Sequence, residues 1–236
     1  MTIISLIIFG IIALIVAIVL GILCSILAWI IVRKRNWRHK RLIVLLAAFT
    51  PALIIGLEAV LGLIGSVYVS ETKGVDIGFG DYWEAPLSAK HYLCAVDLPE
   101  AASIGNREDG PFQEGNGMVE HLWVFNDSVF VVEKDRDATS DNYASSSYTY
   151  SLYLFHRHDN GVDTLLNRAD TLQFAETLRN RNLDIKTALT PDDYFTQAQK
   201  EAHKIESPVR HTIVIVILLA LWAALIRFIR KKSAIP

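Results

Sequence analysis

Arg33-Lys-Arg-Asn-Trp-Arg-His-Lys-Arg41 is a nine-residue connector with six Lys or Arg, and it separates two long uncharged stretches. No residue from Thr2 to Val32 carries a formal charge, and Leu42 to Ser70 holds only Glu58. A third stretch, Thr212 to Ile226, is also uncharged. About 20 apolar residues cross a hydrocarbon core of roughly 30 Å. Three transmembrane helices are therefore expected, over residues 1–32, 42–70 and 209–229, with a basic loop at 33–41 and a tail at 230–236. The intervening residues 71–208 are enough for one folded domain that buries its own core.

Lys and Arg near membrane ends stay on the cytoplasmic side. Arg33, Lys34, Arg35, Arg38, Lys40 and Arg41 lie in the connector, and Arg227, Arg230, Lys231 and Lys232 follow the third stretch. Against these ten, the other side has only Lys73, Lys200, Lys204 and Arg210 near the membrane. The expected topology puts the amino terminus outside, the carboxyl terminus in the cytoplasm and residues 71–208 outside the cytoplasm. A cleaved signal peptide carries its positive charge before the apolar run. Here the charge follows, so the first stretch reads as a retained anchor. Trp29 and Trp37 suit its inner interface, and Tyr68 with Tyr82 and Trp83 suit the outer one.

Residues 71–208 hold 24 Asp and Glu against 12 Lys and Arg, a net charge of −12, while the rest of the chain carries +10. Such an acidic domain opposes nucleic-acid binding, which depends on neutralising phosphates. It is compatible with a cationic partner. Cys24 lies within an apolar stretch and Cys94 in the domain, so they cannot pair within one chain. A domain outside the cytoplasm with no available intrachain disulfide points to a bacterial cytoplasmic (inner) membrane rather than an animal cell surface.

Within the domain, Lys90 to Val96 reads as a strand and Asp97 to Gly117 as a long loop. Met118–Phe125 and Ser128–Glu133 form a hairpin about Asn126-Asp127, and Tyr148–Arg157 turns through Asp159-Asn160-Gly161 into Val162–Leu166. Asp170 caps a helix, and Thr190-Pro191-Asp192-Asp193 starts another that runs to about Glu206. Strands followed by helices predict an α+β domain with an antiparallel sheet.

Glu58 is the prominent candidate. It lies roughly 24 Å along its helix at 1.5 Å per residue, deep in the outer half of the bilayer. Such a carboxyl costs about 2.5–3.5 kcal/mol to insert, and intramembrane acids are functional candidates by default. It reads either as a proton or cation relay or oligomer contact, or as a structural bond to a neighbouring helix. No Lys, Arg or His is expected at matching depth in the other two spans. Pro51 should kink the same helix, and Gly21, Ser25, Gly56, Gly62, Gly65 and Ser66 allow close helix packing.

His156 and His158 share a strand face, and His91 or His121 could join them at a metal, but no ligand set at a recognised spacing completes it. Asp135 to Asp141 has Ser140 and Ser146 where an EF-hand needs Gly and Glu. There is no Gly-x-Ser-x-Gly elbow. No catalytic residue, cofactor or metal is assigned, and an enzyme is not expected. The preferred reading is a non-enzymatic membrane protein whose acidic domain binds an envelope or secreted protein, as an accessory subunit, scaffold or immunity-type factor. The alternative is a small transport or channel component in which several copies assemble around Glu58 and the Pro51 helix.

Overall fold

The computed structural model describes residues 3–34, 40–77, 82–108, 110–111, 117–136, 148–159 and 161–233. The chain divides into two compact units. One comprises Met1–Tyr68 with Lys204–Pro236, and the other is Val69–His203.

The first unit is helical: α1 (Ile3–Arg33), the greater part of α2 (Lys40–Lys73) and α5 (Glu206–Ser233). All three are long and apolar enough to cross a membrane. Their large side chains face outward, with Ile31 62 % and Leu219 65 % exposed. Lipid tolerates that surface and water does not. Gly21 stands against the backbone of α2, where a Cβ would come within 2.5 Å of the Ala48 carbonyl oxygen. Pro208 falls in the first turn of α5, where its missing N–H has no helical partner to lose. It therefore belongs to the helix. Helix α4 (Pro191–His203) ends three residues short of the expected Glu206.

The second unit is α+β with two antiparallel sheets, where one was expected. The strands β1 (Asp76–Ile77), β2 (Tyr82–Pro86), β3 (His91–Val96), β4 (Ser103–Asn106) and β5 (Gly110–Pro111) form one sheet in chain order. The strands β6 (Met118–Val124), β7 (Ser128–Arg136), β8 (Tyr148–His156) and β9 (Val162–Ala169) form the other, also in chain order. The segment expected as a structureless loop, 97–117, thus contains β4 and β5. Tyr82 and Trp83, expected as interfacial anchors, lie in β2, and Trp83 packs against the core.

Alternation along β7 divides the core. Val129 and Val131 join Leu93, Ile104, Tyr153 and Phe155, together with Tyr194 and Phe195 of α4. Val132 points the other way, toward Phe174 and Leu178 of α3 (Thr171–Asn180). Successive side chains on a strand face opposite sides, so the four-stranded sheet is the middle layer. The expected turn at Asn126-Asp127 joins β6 to β7, closed by Phe125 N–H to Ser128 O at 2.9 Å. Asp170 caps α3 as expected, its Oδ1 accepting from Leu172 N and Gln173 N at 2.9 Å each. Thr190 and Asp193 bond reciprocally at the start of α4, Thr190 Oγ1 donating to Asp193 Oδ2 at 2.7 Å.

Candidate functional site

Glu58, Gly62 and Gly65 lie on one stripe of α2, because residues three and four apart share a helix face. Glu206, Arg210 and His211 occupy the first turns of α5. Arg210 Nε donates to Glu58 Oε2 at 3.0 Å, and His211 Nδ1 lies 2.6 Å from Glu58 Oε1. Arg210 Nη1 also donates to Glu206 Oε1 at 3.2 Å. Glu206, Arg210, Glu58 and His211 thus form one connected chain of polar side chains, with Arg210 between the two carboxylates. A Cβ at Gly62 would meet only Arg210 Nη1, at 3.6 Å, whereas one at Gly65 would run into the Glu206 carboxylate. The glycines leave room for the charged side chains of α5.

This corrects the expectation that Glu58 has no cation at matching depth. The matches descend α2 as they ascend α5, so the two helices are antiparallel and the beginning of α5 meets the middle of α2. Arg41 to Glu58 is 17 residues, and Arg210 to Arg227 is also 17. At 1.5 Å per residue each interval is about 26 Å, close to a hydrocarbon thickness. The pairing therefore puts the Glu58 cluster near one edge of the apolar slab and Arg41 and Arg227 near the other. That equal spacing was the signal in the sequence.

Each Glu58 oxygen has one partner on α5, Arg210 for Oε2 and His211 for Oε1. Pro51 lies inside an α2 that runs unbroken from Lys40 to Lys73, and Thr50 Oγ1 donates to Leu46 O at 2.8 Å beside it. Arg33 and Lys34 end the first helix and its turn, while Lys40 and Arg41 begin the second. Arg35 and Arg38 lie outside the described residues. Arg230, Lys231 and Lys232 fall in the last turns of α5.

In the second unit the histidines disperse. His156 lies 3.1 Å from Asp163, and His158 lies 3.4 Å from Asp127. His91 is buried, its Nδ1 3.0 Å from Ser88 Oγ, which also accepts from the N–H of Lys90 and of His91. Ser88 thereby closes the β2–β3 turn. Among the described residues, no three His, Cys, Asp or Glu converge to hold a metal. Most of the candidate calcium loop lies outside the described residues.

Two features of this unit had not been anticipated. A groove of about 630 Å³ is bordered by Glu100, Glu120 and Asp135, with Lys134, Met118 and Tyr148. Its cation is already held, since Lys134 Nζ lies 2.7 Å from Glu120 and 4.7 Å from the centre of the Tyr148 ring. Asp135 lies 3.7 Å from Arg168. Met118 is 56 % exposed. Beside Asp135 on β7, Glu133 is only 3 % exposed, and its Oε1 has no hydrogen-bond partner. Burial, and then the charge of Asp135, raise its carboxyl to about 7, opposed by a hydrogen bond with Tyr153. The run Val131-Val132-Glu133 carried that signal, since Glu133 shares the inward face of Val129 and Val131.

Comparison of the chain with protein-family models, with curated proteins and with solved structures found no match.

Proposed function

We propose that this is a non-enzymatic integral membrane protein that displays its acidic domain outside the cytoplasm of a bacterial cell and binds there a cationic segment of an envelope or secreted protein. The groove edged by Glu100, Glu120 and Asp135 carries the reading. Of its three carboxylates, Glu120 holds Lys134 and Asp135 lies 3.7 Å from Arg168, and exposed Met118 and Tyr148 supply apolar contact beside them. Acidic rims around apolar anchors suit Lys- or Arg-bearing partners, steering the encounter as well as the fit. The −12 charge of residues 71–208 acts in the same direction at longer range. The excess of Lys and Arg in the connector and tail supports the orientation.

The binding reading is preferred to transport because the groove offers a surface for a partner, whereas Glu58 has a structural role in its bonds to Arg210 and His211. Photo-crosslinking from position 118 in intact cells tests the binding reading. A protein adduct is expected, and Glu100→Lys combined with Asp135→Lys should remove it. No adduct, or one indifferent to both charge reversals, would contradict the groove as the binding site.

A further inference from the structure

A second cavity lies within the Val69–His203 unit, away from the acidic groove. Its volume is about 330 Å³, and its lining includes Lys73, Arg157, Tyr194, Glu201, Val75 and Leu87. These come from the end of α2, the turn after β8, helix α4 and the β2–β3 hairpin, so no local sequence motif announces them. The Tyr194 hydroxyl donates to the Pro86 carbonyl at 2.5 Å and is also hydrogen-bonded to the Arg157 side chain. Tyr194 is 2 % exposed. A guanidinium has five N–H donors in a fixed fork, and among the described residues only the Tyr194 hydroxyl engages that of Arg157. Lys73 Nζ donates to Ala202 O at 2.5 Å, which brings a second cation to the same cavity.

Neither Arg157 nor Lys73 forms an ion pair among the described residues. The carboxylate of Glu201 is engaged instead by Gln197 Nε2 at 2.9 Å. Two cations and one acid thus line the cavity of a domain whose overall charge is strongly negative. The remaining wall is apolar, with Leu87 1 % and Val75 4 % exposed. A volume of this size lies at the lower end of small-molecule sites. Arg suits bidentate recognition of carboxylate and phosphate, and Lys adds a point charge.

We propose that this cavity binds a small amphipathic anion, with its carboxylate or phosphate head on Arg157 and Lys73 and a short apolar stem against Val75 and Leu87. The site is independent of the protein-binding groove. The same head chemistry occurs in free organic anions and in acidic lipids. Titrating butyl phosphate into the full-length protein by calorimetry, in nanodiscs of zwitterionic lipid and in nanodiscs containing phosphatidylglycerol, separates the two sources. Saturable binding is expected in zwitterionic discs. Binding that is at least tenfold weaker in phosphatidylglycerol discs identifies a lipid head group as the natural occupant, and equal binding identifies a free anion.

Lys73→Gln should weaken butyl phosphate at least tenfold, and Arg157→Gln at least as much, while butanol should not bind. Arg157→Gln also loses the bond to Tyr194. Lys73→Gln, on an exposed side chain, is therefore the variant that decides if the other fails to fold. Absence of saturable binding in zwitterionic discs, or a Lys73→Gln variant that melts normally and binds as tightly as the parent, would overturn the proposal.

Discussion

Arg210 Nε donates to Glu58 Oε2 at 3.0 Å, joining α5 to α2 across 152 residues of sequence. The bond gives the one carboxyl in the second apolar stretch a partner on a neighbouring apolar helix. A lone acid near the bilayer centre costs about 2.5–3.5 kcal/mol. Paired with Arg210 and His211 near the edge of the apolar slab, Glu58 avoids most of that cost. It becomes a fastening between helices.

Removing one partner should therefore hurt more than removing both. Glu58→Gln and Arg210→Gln singly are expected to lower the melting temperature of the detergent-solubilised protein, and the double variant should recover part of the loss. Because both side chains are partly exposed, the coupling should be on the order of 1 kcal/mol. Additive losses would show that the pair contributes nothing.

Helix packing makes a paired prediction at two glycines. Gly21→Leu forces a Cβ toward the Ala48 carbonyl oxygen at 2.5 Å and should destabilise the α1–α2 contact. A Cβ at Gly56 would meet nothing within 4 Å, so Gly56→Ala should be tolerated. Thermal melting in the same detergent distinguishes them, and equal effects would contradict the contact.

Glu133 makes the stability of the domain depend on pH. Its folded carboxyl titrates at about 7, above the ordinary value of 4.5. The folded state thus holds its proton more tightly than the unfolded chain. The stabilisation is complete below about pH 4.5 and is lost as pH rises through about 7. A shift of this size corresponds to roughly 3 kcal/mol. Melting at pH 5 and pH 8 should show the parent weaker at pH 8, with Glu133→Gln losing most of the difference. An unchanged difference in the variant would assign the pH dependence to other groups.

The cap of α3 gives a simpler check. Asp170→Ala removes the acceptor for two backbone N–H groups and should cost about 1 kcal/mol. Chemical denaturation measures it, and no loss would mean that solvent satisfies those groups equally well.

The two hairpins of β6–β9 are legible in the sequence because long alternating strands flank short turns of favourable residues. The starts of α3 and α4 are legible because Asp170 and Thr190 are local caps. The first sheet is not legible. Strands β1 and β5 have only two residues each, and β4 is four residues, including Gly105, in a segment rich in Gly and Pro. Pairing with β3, which places Cys94 opposite Ser103, is what organises that segment. Glu58 itself is conspicuous in an uncharged run, but its partners are hidden by counting depth separately in each helix. Aligning Arg41 with Arg227 in an antiparallel pair, as their equal spacing allows, brings Arg210 level with Glu58. The anion cavity draws on segments far apart in the chain, and no short pattern predicts it.

We propose that the acidic domain and the basic connector lie on opposite sides of a membrane. Site-directed cysteine labelling tests it, with Cys24 and Cys94 replaced by Ser and one new cysteine at Leu172, which is 81 % exposed, or at Asn36. A membrane-impermeant maleimide applied to intact cells with a permeable outer envelope should label position 172 at once, and position 36 only after the cytoplasmic membrane is broken. Labelling of position 36 in intact cells, with 172 protected, would reverse the topology and remove the proposed partner from reach.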